Sequence, residues 1–190
     1  MFDWKGYINT TKNKPPRQLL VQALEYIKNK EIALDLGAGA LNESRYLLDC
    51  GFKKVIAVDN EENPDLINQI NNKAFVFKKI AIGDYDFSEN KFSLINAQFV
   101  LPFIKKEEID QIINHIKDSL ENGGVFVGQF FGAKDSWGNK PGICVYTEKE
   151  VKEFLANLDI IYFQEEEKDG QTAMDGEKHW HIFHFIAKKY

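Results

Sequence analysis

Residues 31–47 read EIALDLGAGALNESRYL, an apolar run that two glycines interrupt before apolar residues resume at helical spacing. The stretch therefore predicts a strand, a tight turn at Gly37 and Gly39, and a helix that Asn42 caps and that stops at Gly51. Because glycine lacks a Cβ atom, the turn lets a ligand approach the backbone closely. The helix start beyond the turn offers free N–H groups to an anion. An acid, Asp35, stands just before the turn.

Strand-like and helix-like segments alternate along the rest of the chain, which favours a mostly parallel sheet covered by helices on both faces. One of these helices opens at Thr147 with Glu150 three residues later, which predicts a capping box. The last two predicted strands are joined by only about ten polar residues, and a parallel return needs a longer connection. We therefore predict an α/β, Rossmann-like three-layer sandwich. Its seven-stranded, mostly parallel sheet would end in a C-terminal antiparallel hairpin.

Length and composition indicate one ordinary globular domain over residues 1–190, with 44% hydrophobic and 28% charged residues. A net charge of −5 argues against nucleic acid as the main partner. The two cysteines form neither a disulfide framework nor a metal-ligand spacing. The N-terminal stretch holds no long apolar run, so we expect no signal peptide, no membrane association and a cytoplasmic protein.

A second acid, Asp59, ends the next predicted strand and lies twenty residues after Gly39. An acid there is placed to accept hydrogen bonds from the hydroxyls of a ribose. Ligands of such sheets sit outside the carboxyl ends of the strands. The glycine turn and Asp59 are therefore expected to share one cofactor site.

Two cofactor classes use this arrangement. A dinucleotide site has a third glycine three residues after the second, and here that position is Asn42, so the GxGxxG pattern fails. Asp35 fits poorly beside a pyrophosphate and well beside an α-amino group. A cofactor with an amino-acid end is favoured, and an NAD-dependent oxidoreductase of Rossmann type is the alternative.

Four segments make the chain resemble the class I S-adenosylmethionine-dependent methyltransferases, namely ALDLGAGALNES, VIAVDN, FSLINAQFVLPFI and GGVFVGQFF. The resemblance extends from about residue 15 to the end, is strongest to the small tellurite-resistance and thiopurine type, and includes the terminal hairpin. It implies S-adenosyl-L-methionine as the cofactor. Asp35, Gly37 and Gly39 would hold the methionine part, and Asp59, with Asn60 beside it, the ribose.

The same resemblance places further residues in the cofactor site. Ala81 and Ile82 would flank the adenine, Ala97 and Gln98 would lie beside the amino group and the methyl, and Phe99 would pack near the adenine ring. Many members carry an acid after the third strand that binds the adenine amino group. Here Ala81 takes that position, so either Asp84 or backbone groups alone would read the adenine.

The expected reaction is in-line methyl transfer to a small-molecule acceptor. The segment NAQFVLP lacks the Pro-Pro-aromatic motif of amino-directed DNA methyltransferases, and neither cysteine lies near the fourth strand for cytosine C5 chemistry. A general base is needed only where the nucleophile must lose a proton, so no catalytic residue is assigned. A methyltransferase-like binding module without catalysis is a further alternative.

Three more features carry open interpretations. Alternation along a strand puts His179 and His181 on one face and His184 on the other, so we expect no metal site from them, while a catalytic base or an exposed pair stays open. Residues 1–17 could form a lid or pack against the sheet. The Gly-rich loop after the fifth strand could line the acceptor pocket through Asp135 or Trp137, or be a plain surface loop.

Overall fold

A computed structural model describes residues 2–190. All eight strands belong to one sheet, in the order β3-β2-β1-β4-β5-β8-β7, with β6 paired to β5. The strands are β1 Ile32–Leu36, β2 Lys54–Asp59, β3 Phe75–Lys79, β4 Phe92–Ala97, β5 Leu120–Gly132, β6 Val145–Tyr146, β7 Asp159–Gln171 and β8 Glu177–Lys188. The pairs among β1 to β5 are parallel, and β8 is antiparallel to both β5 and β7.

Within residues 2–190, six α-helices connect or cover the strands: α1 Trp4–Thr11, α2 Gln18–Ala23, α3 Asn42–Asp49, α4 Pro64–Asn68, α5 Ile109–Ser119 and α6 Glu148–Phe154. Apolar side chains alternate to the two faces of the central strands, so each face has its own core. Leu34 of β1 belongs to the core that α5 and α6 cover, whereas Ala33 belongs to the core beneath α2 and α3. Among residues 2–190, no helix is both long and apolar enough to cross a membrane.

The predicted architecture is confirmed, with an antiparallel C-terminal hairpin beyond a parallel sheet. The two-residue strand β6 is an addition, because it is too short to leave a period in the sequence. The hairpin strands also run further than their apolar segments, leaving a turn of residues 172–176 in which Thr172 N–H donates to the Gly176 carbonyl at 2.7 Å. Ladder hydrogen bonds use backbone groups, so polar residues extend these strands as well as apolar ones do.

Two of the predicted helix boundaries are confirmed, and one predicted helix cap is wrong. Gly51 follows α3 with φ +87°, as expected of a helix stop, and Thr147 and Glu150 form the predicted capping box of α6. Asn42 was expected to cap α3 and does not, because it lies inside the first turn. Its side-chain amide instead donates to the Thr11 carbonyl at 2.9 Å and ties the N-terminal segment to the glycine turn.

Candidate active site

The glycine turn lies at the carboxyl end of β1 and is held by its neighbour β2. The N–H groups of Gly37 and Ala38 donate to the Val58 carbonyl at 2.8 and 3.2 Å. Gly37 has φ +68° and Gly39 has φ +48°, in the left-handed region that favours glycine. The two differ in their surroundings. A Cβ atom on Gly37 would lie 2.5 Å from Val100 Cγ2, whereas on Gly39 its nearest neighbour would be the Gly37 carbonyl oxygen at 3.8 Å.

Asp35 is a buried carboxylate beneath this turn, with 1% of its surface exposed. Ser44 Oγ donates to one of its oxygens at 2.5 Å and Asn96 Nδ2 to the other at 2.7 Å. Burial, together with the nearby Glu43 charge, raises the pKa of Asp35 to about 7, although the two hydrogen bonds oppose the rise. A buried carboxylate with so few partners is suited to a cationic group, such as the ammonium of an amino acid.

Asp59 ends β2 beside the turn. Its oxygens accept the Gly39 N–H at 2.8 Å and the Glu61 N–H at 2.9 Å, so it also fixes the turn. Burial raises the pKa of Asp59 against the effect of these bonds. Each carboxylate oxygen has a second lone pair, which is free to accept a ribose hydroxyl. Asn60 follows it and is exposed.

An ion pair closes the site on the side of the N-terminal segment. Arg17 Nη1 lies 2.7 Å from Glu43 Oε1, and its guanidinium stacks 5.2 Å from the centroid of the Phe99 ring. Helix α1 continues this cover, because Ile8 packs against Ala38 and Ala40 of the turn region. The described part of residues 1–17 thus lies over the glycine turn, and Met1 lies outside the described residues. Whether residues 1–17 open and close as a lid stays a prediction.

The segment after β4 has three different environments. Ala97 is fully buried, with its side chain in the core on the opposite face, so only its backbone faces the site. Gln98 is buried and hydrogen-bonded to Asn96 at 2.9 Å. Phe99 has φ +55° and contacts the rings of Phe131 and Trp180.

These contacts set Phe99 apart from the two other residues expected near the adenine. Ala81 is exposed and Ile82 half-buried, and both follow β3 at the far side of the sheet. The ring of Phe99 lies on the side of β5 and β8 instead. β1 and β2 therefore lie between the Phe99 ring and the segment with Ala81 and Ile82.

An aromatic cluster covers the ends of β4 and β5 and the start of β8. It joins the N-terminal segment to the loop after β5, with neighbouring ring centroids 5.0 to 6.4 Å apart, and consists of Phe2, Trp4, Phe99, Phe103, Phe131, Trp137 and Trp180. Edge and tilted contacts of this kind add stability beyond the buried area. The cluster forms an apolar wall next to the glycine turn.

A buried ion pair anchors that wall. Lys178 forms a salt bridge with Asp135, and both side chains are almost completely buried. The ammonium lies 3.9 Å from the Trp180 ring centroid and 4.1 Å from that of Trp137. Burial lowers the pKa of Lys178, and Asp135 opposes the effect. Asp135 therefore holds the Gly-rich loop to β8 rather than lining an open pocket, while Trp137 belongs to the aromatic cluster.

The histidines divide between the faces of β8 as predicted. His181 lies beside Glu165 and Glu167 of β7, a group whose ligand atoms lie within 4.8 Å of one another. The Lys134 N–H donates to His181 Nδ1 at 3.1 Å, so His181 Nε2 carries the proton that it donates to Glu165 at 2.7 Å. A metal ion would have to displace that proton, so we assign the group to hydrogen bonding. His184 lies on the other face, beside Gln129.

The sheet order, the antiparallel β8, and an acid with a glycine turn after β1 define the class I S-adenosylmethionine-dependent methyltransferase fold. The model of the family described as tellurite resistance protein TehB matches residues 5–181. The chain belongs to this family, which confirms the predicted resemblance. No curated protein matches the sequence.

Three solved structures share the fold. TehB from Haemophilus influenzae has a TM-score of 0.78 at 19% identity, covering 98% of this chain and 67% of that one. The second is a 1,6-didemethyltoxoflavin-N1-methyltransferase from Burkholderia thailandensis with 1,6-didemethyltoxoflavin and S-adenosylhomocysteine bound. It has a TM-score of 0.69 at 20% identity, covering 91% of this chain and 77% of that one. The third is the N-methyltransferase NodS from Bradyrhizobium japonicum in complex with S-adenosylhomocysteine. It has a TM-score of 0.63 at 18% identity, covering 91% of this chain and 89% of that one.

Several site residues were not foreseen from the sequence. Ser44 and Asn96 both bind Asp35, and Glu43 pairs with Arg17 of the predicted lid segment. Asn96 left a signal in the sequence, since the strand FSLINA is otherwise apolar except for Ser93. Ser44 and Glu43 lie in the amphipathic helix α3, where a polar residue is ordinary.

Proposed function

We propose that this protein transfers a methyl group from S-adenosyl-L-methionine to a small-molecule acceptor. The observation that carries the proposal is the meeting of buried Asp35, the open face of Gly39 and the Asp59 carboxylate at adjacent strand ends. Two neighbours of the same fold hold S-adenosylhomocysteine, which supports this cofactor.

The cofactor would lie along the strand ends in a fixed direction. Its ammonium would pair with Asp35, its methionine backbone would cross Gly39, and its ribose would bind Asp59. The adenine would then reach Ala81 and Ile82, which follow β3, the strand next to β2. Ala97 and Gln98 would contribute the edge next to the methyl, with Ala97 acting through its backbone.

We infer that the acceptor side is the space bordered by the aromatic cluster and Arg17. Phe99 belongs to this cluster and lies under the Arg17 guanidinium, so we place it against the acceptor rather than the adenine. An apolar wall excludes water and aligns a flat or apolar acceptor with the methyl group, which is the main requirement of a displacement on an already activated carbon. Residues 1–17 would act as a lid over both ligands.

The alternatives have less support. A dinucleotide would bring its pyrophosphate close to the buried carboxylate of Asp35, where two like charges would repel each other. A non-catalytic binding module would bind the cofactor equally well, so only turnover separates it from an enzyme.

The test is a thermal-shift comparison of four ligands, because a ligand that binds the native state raises the melting temperature by mass action. We expect S-adenosylmethionine and S-adenosylhomocysteine to raise it, and NAD and NADP to leave it unchanged. A shift with NAD alone would overturn the proposal. Methyl transfer from labelled cofactor to a panel of small aromatic acceptors would then separate the enzyme from the binding module.

We expect Asp59→Ala to weaken S-adenosylhomocysteine binding about tenfold, the worth of one hydrogen bond to a charged group (~1.4 kcal/mol). Calorimetry measures the affinity, and the melting temperature should fall only slightly through the lost Gly39 contact. Glu62→Ala is the matched control, because Glu62 is an exposed acid of the same loop that pairs with Lys79. Equal affinities in the two variants would remove Asp59 from the site.

A further inference from the structure

A row of polar side chains crosses the sheet beneath the site. On the face toward α2 and α3, the apolar residues Ala33, Leu94, Val127 and Ile186 of four neighbouring strands form the core. Two residues along each strand, toward the site, the same face carries Asp35, Asn96, Gln129 and His184 instead. Asn96 pairs with Val127 in the register, so Gln98, just beyond β4, bridges Asn96 to Gln129. All but His184 are at least 95% buried, so the row is an interior feature.

These side chains form a continuous chain of hydrogen bonds. Gln129 Nε2 donates to Gln98 Oε1 at 3.2 Å, and Gln98 Nε2 donates to Asn96 Oδ1 at 2.9 Å. Asn96 Nδ2 then donates to Asp35 at 2.7 Å. At the other end, Gln129 Nε2 lies 3.3 Å from His184 Nδ1.

The direction of this chain is set by one backbone group. The Phe99 N–H can only donate, and it donates to Gln129 Oε1 at 3.1 Å. The amide nitrogen of Gln129 must therefore face Gln98, and every later amide is oriented in turn. The last donor points at Asp35, which favours its ionised form. His184 accepts at Nδ1 and so carries its proton on Nε2, toward Glu166 of β7 at 3.8 Å.

We propose that Gln129 is a positioning residue of the methyl-transfer site, which fixes the segment 97–99 and orients the amide chain that ends on Asp35. It touches neither ligand. It acts on the acceptor side through the backbone of Phe99, and on the cofactor side through Gln98 and Asn96. This inference rests on the proposed function for its consequence and on the hydrogen bonds for its mechanism.

A purely structural role for Gln129 predicts lost stability and nothing else. A positioning role predicts in addition that the ionisation of Asp35 depends on the side chain at position 129. The titratable groups around the chain are Glu43 and Arg17 near Asp35, and Glu166 and Lys168 near His184. They are unchanged in the variants below, so a shift at Asp35 reports on the chain.

Two substitutions separate the roles. In Gln129→Glu the shape is kept, but the side chain can no longer donate to Gln98. Gln98 and Asn96 must then turn over, and the acceptor of Asn96 faces a protonated Asp35. Gln129→Met removes the hydrogen bonds without adding charge and leaves Phe99 N–H unpaired. Gln111→Glu, on the exposed face of α5, makes the same charge change away from the site.

The experiment measures two quantities on each protein. Carboxyl NMR follows the titration of Asp35 without ligand, and calorimetry follows S-adenosylhomocysteine affinity from pH 5 to 8. In Gln129→Glu we expect the Asp35 midpoint to rise by about one pH unit or more, with affinity at pH 7 falling about fivefold or more. Gln129→Met should show a smaller rise and a fall of about threefold. Gln111→Glu should behave as the unaltered protein does.

Unchanged Asp35 titration in both Gln129 variants, in proteins that remain folded, would overturn the inference. So would a change in Gln129→Glu alone, because this would indicate the added charge and not the chain. If the unaltered protein does not bind S-adenosylhomocysteine, the proposed function fails, and the NMR titration still decides whether Gln129 sets the ionisation of Asp35.

Discussion

The affinity of the protein for S-adenosylhomocysteine is expected to rise roughly fiftyfold between pH 5 and pH 7. In the proposed complex the ligand's ammonium pairs with the ionised form of Asp35, whose pKa burial raises to about 7 in the unliganded protein. Only about 1% of the molecules carry this form two pH units below the pKa, and about half carry it at the pKa. Binding should also release a proton, because the ammonium lowers the pKa of the carboxyl group.

The same pKa has a consequence for stability with a defined sign. Asp35 has a higher pKa folded than unfolded, so its ionisation opposes folding. Stability of the unliganded protein should fall as pH rises from about 4 to 7, by an amount on the order of 4 kcal/mol for this group. The cofactor should restore it at neutral pH.

Calorimetry in buffers of different ionisation enthalpy measures both affinity and proton release. Asp35→Asn is the control, because it keeps the shape of the side chain and removes its titration. The Ser44 hydroxyl can rotate to accept a hydrogen bond from the new amide N–H. Its affinity should be low and independent of pH. If the unaltered protein shows a flat profile, or if the pH dependence persists in Asp35→Asn, the carboxyl group is not the partner of the ammonium.

The second large effect separates the two glycines of the turn. Gly37→Ala places a methyl group 2.5 Å from Val100 Cγ2 at a φ of +68°. Overpacking and left-handed strain together should cost about 2 to 5 kcal/mol of unfolding free energy. Gly39→Ala meets no protein atom closer than 3.8 Å, so strain alone should cost about 1 to 2 kcal/mol. Its methyl group would occupy the space assigned to the cofactor, and binding should fall below detection.

Urea unfolding and S-adenosylhomocysteine calorimetry on the same samples test this pair. Gly51→Ala is the matched control, because Gly51 has φ +87° and open space around it, far from the site. It should share the strain of Gly39→Ala and keep its affinity. Val100→Ala should recover part of the stability lost in Gly37→Ala, which a double-mutant cycle measures. Gly39→Ala binding as tightly as Gly51→Ala would make Gly39 an architectural residue.

Much of the fold is predictable from the sequence, because period and turn chemistry are local. Alternating strands and helices, the stop at Gly51 and the cap at Thr147 all follow from neighbours in the chain. The antiparallel ending follows from connection length. The cap assigned to Asn42 was wrong, because the partner of its side chain is Thr11, whose position no local pattern reveals.

Local pattern also identified Asp35, the glycine turn and Asp59 as one candidate site, since the ends of neighbouring parallel strands lie together. The role of each residue within that site depends on the tertiary structure. Gly37 faces Val100 while Gly39 faces open space, and Phe99 turns toward Trp180.

The polar row shows why the roles of these residues depend on the tertiary structure. Successive members Asp35, Asn96, Gln129 and His184 are 61, 33 and 55 residues apart along the chain. Only the register of four strands brings them close together, with Gln98 bridging Asn96 to Gln129. The ionisation of Asp35 depends on how deeply it is buried and on which groups donate to it. Both are properties of packing between distant segments. The sequence therefore identifies the acid, but only the folded sheet sets its pKa.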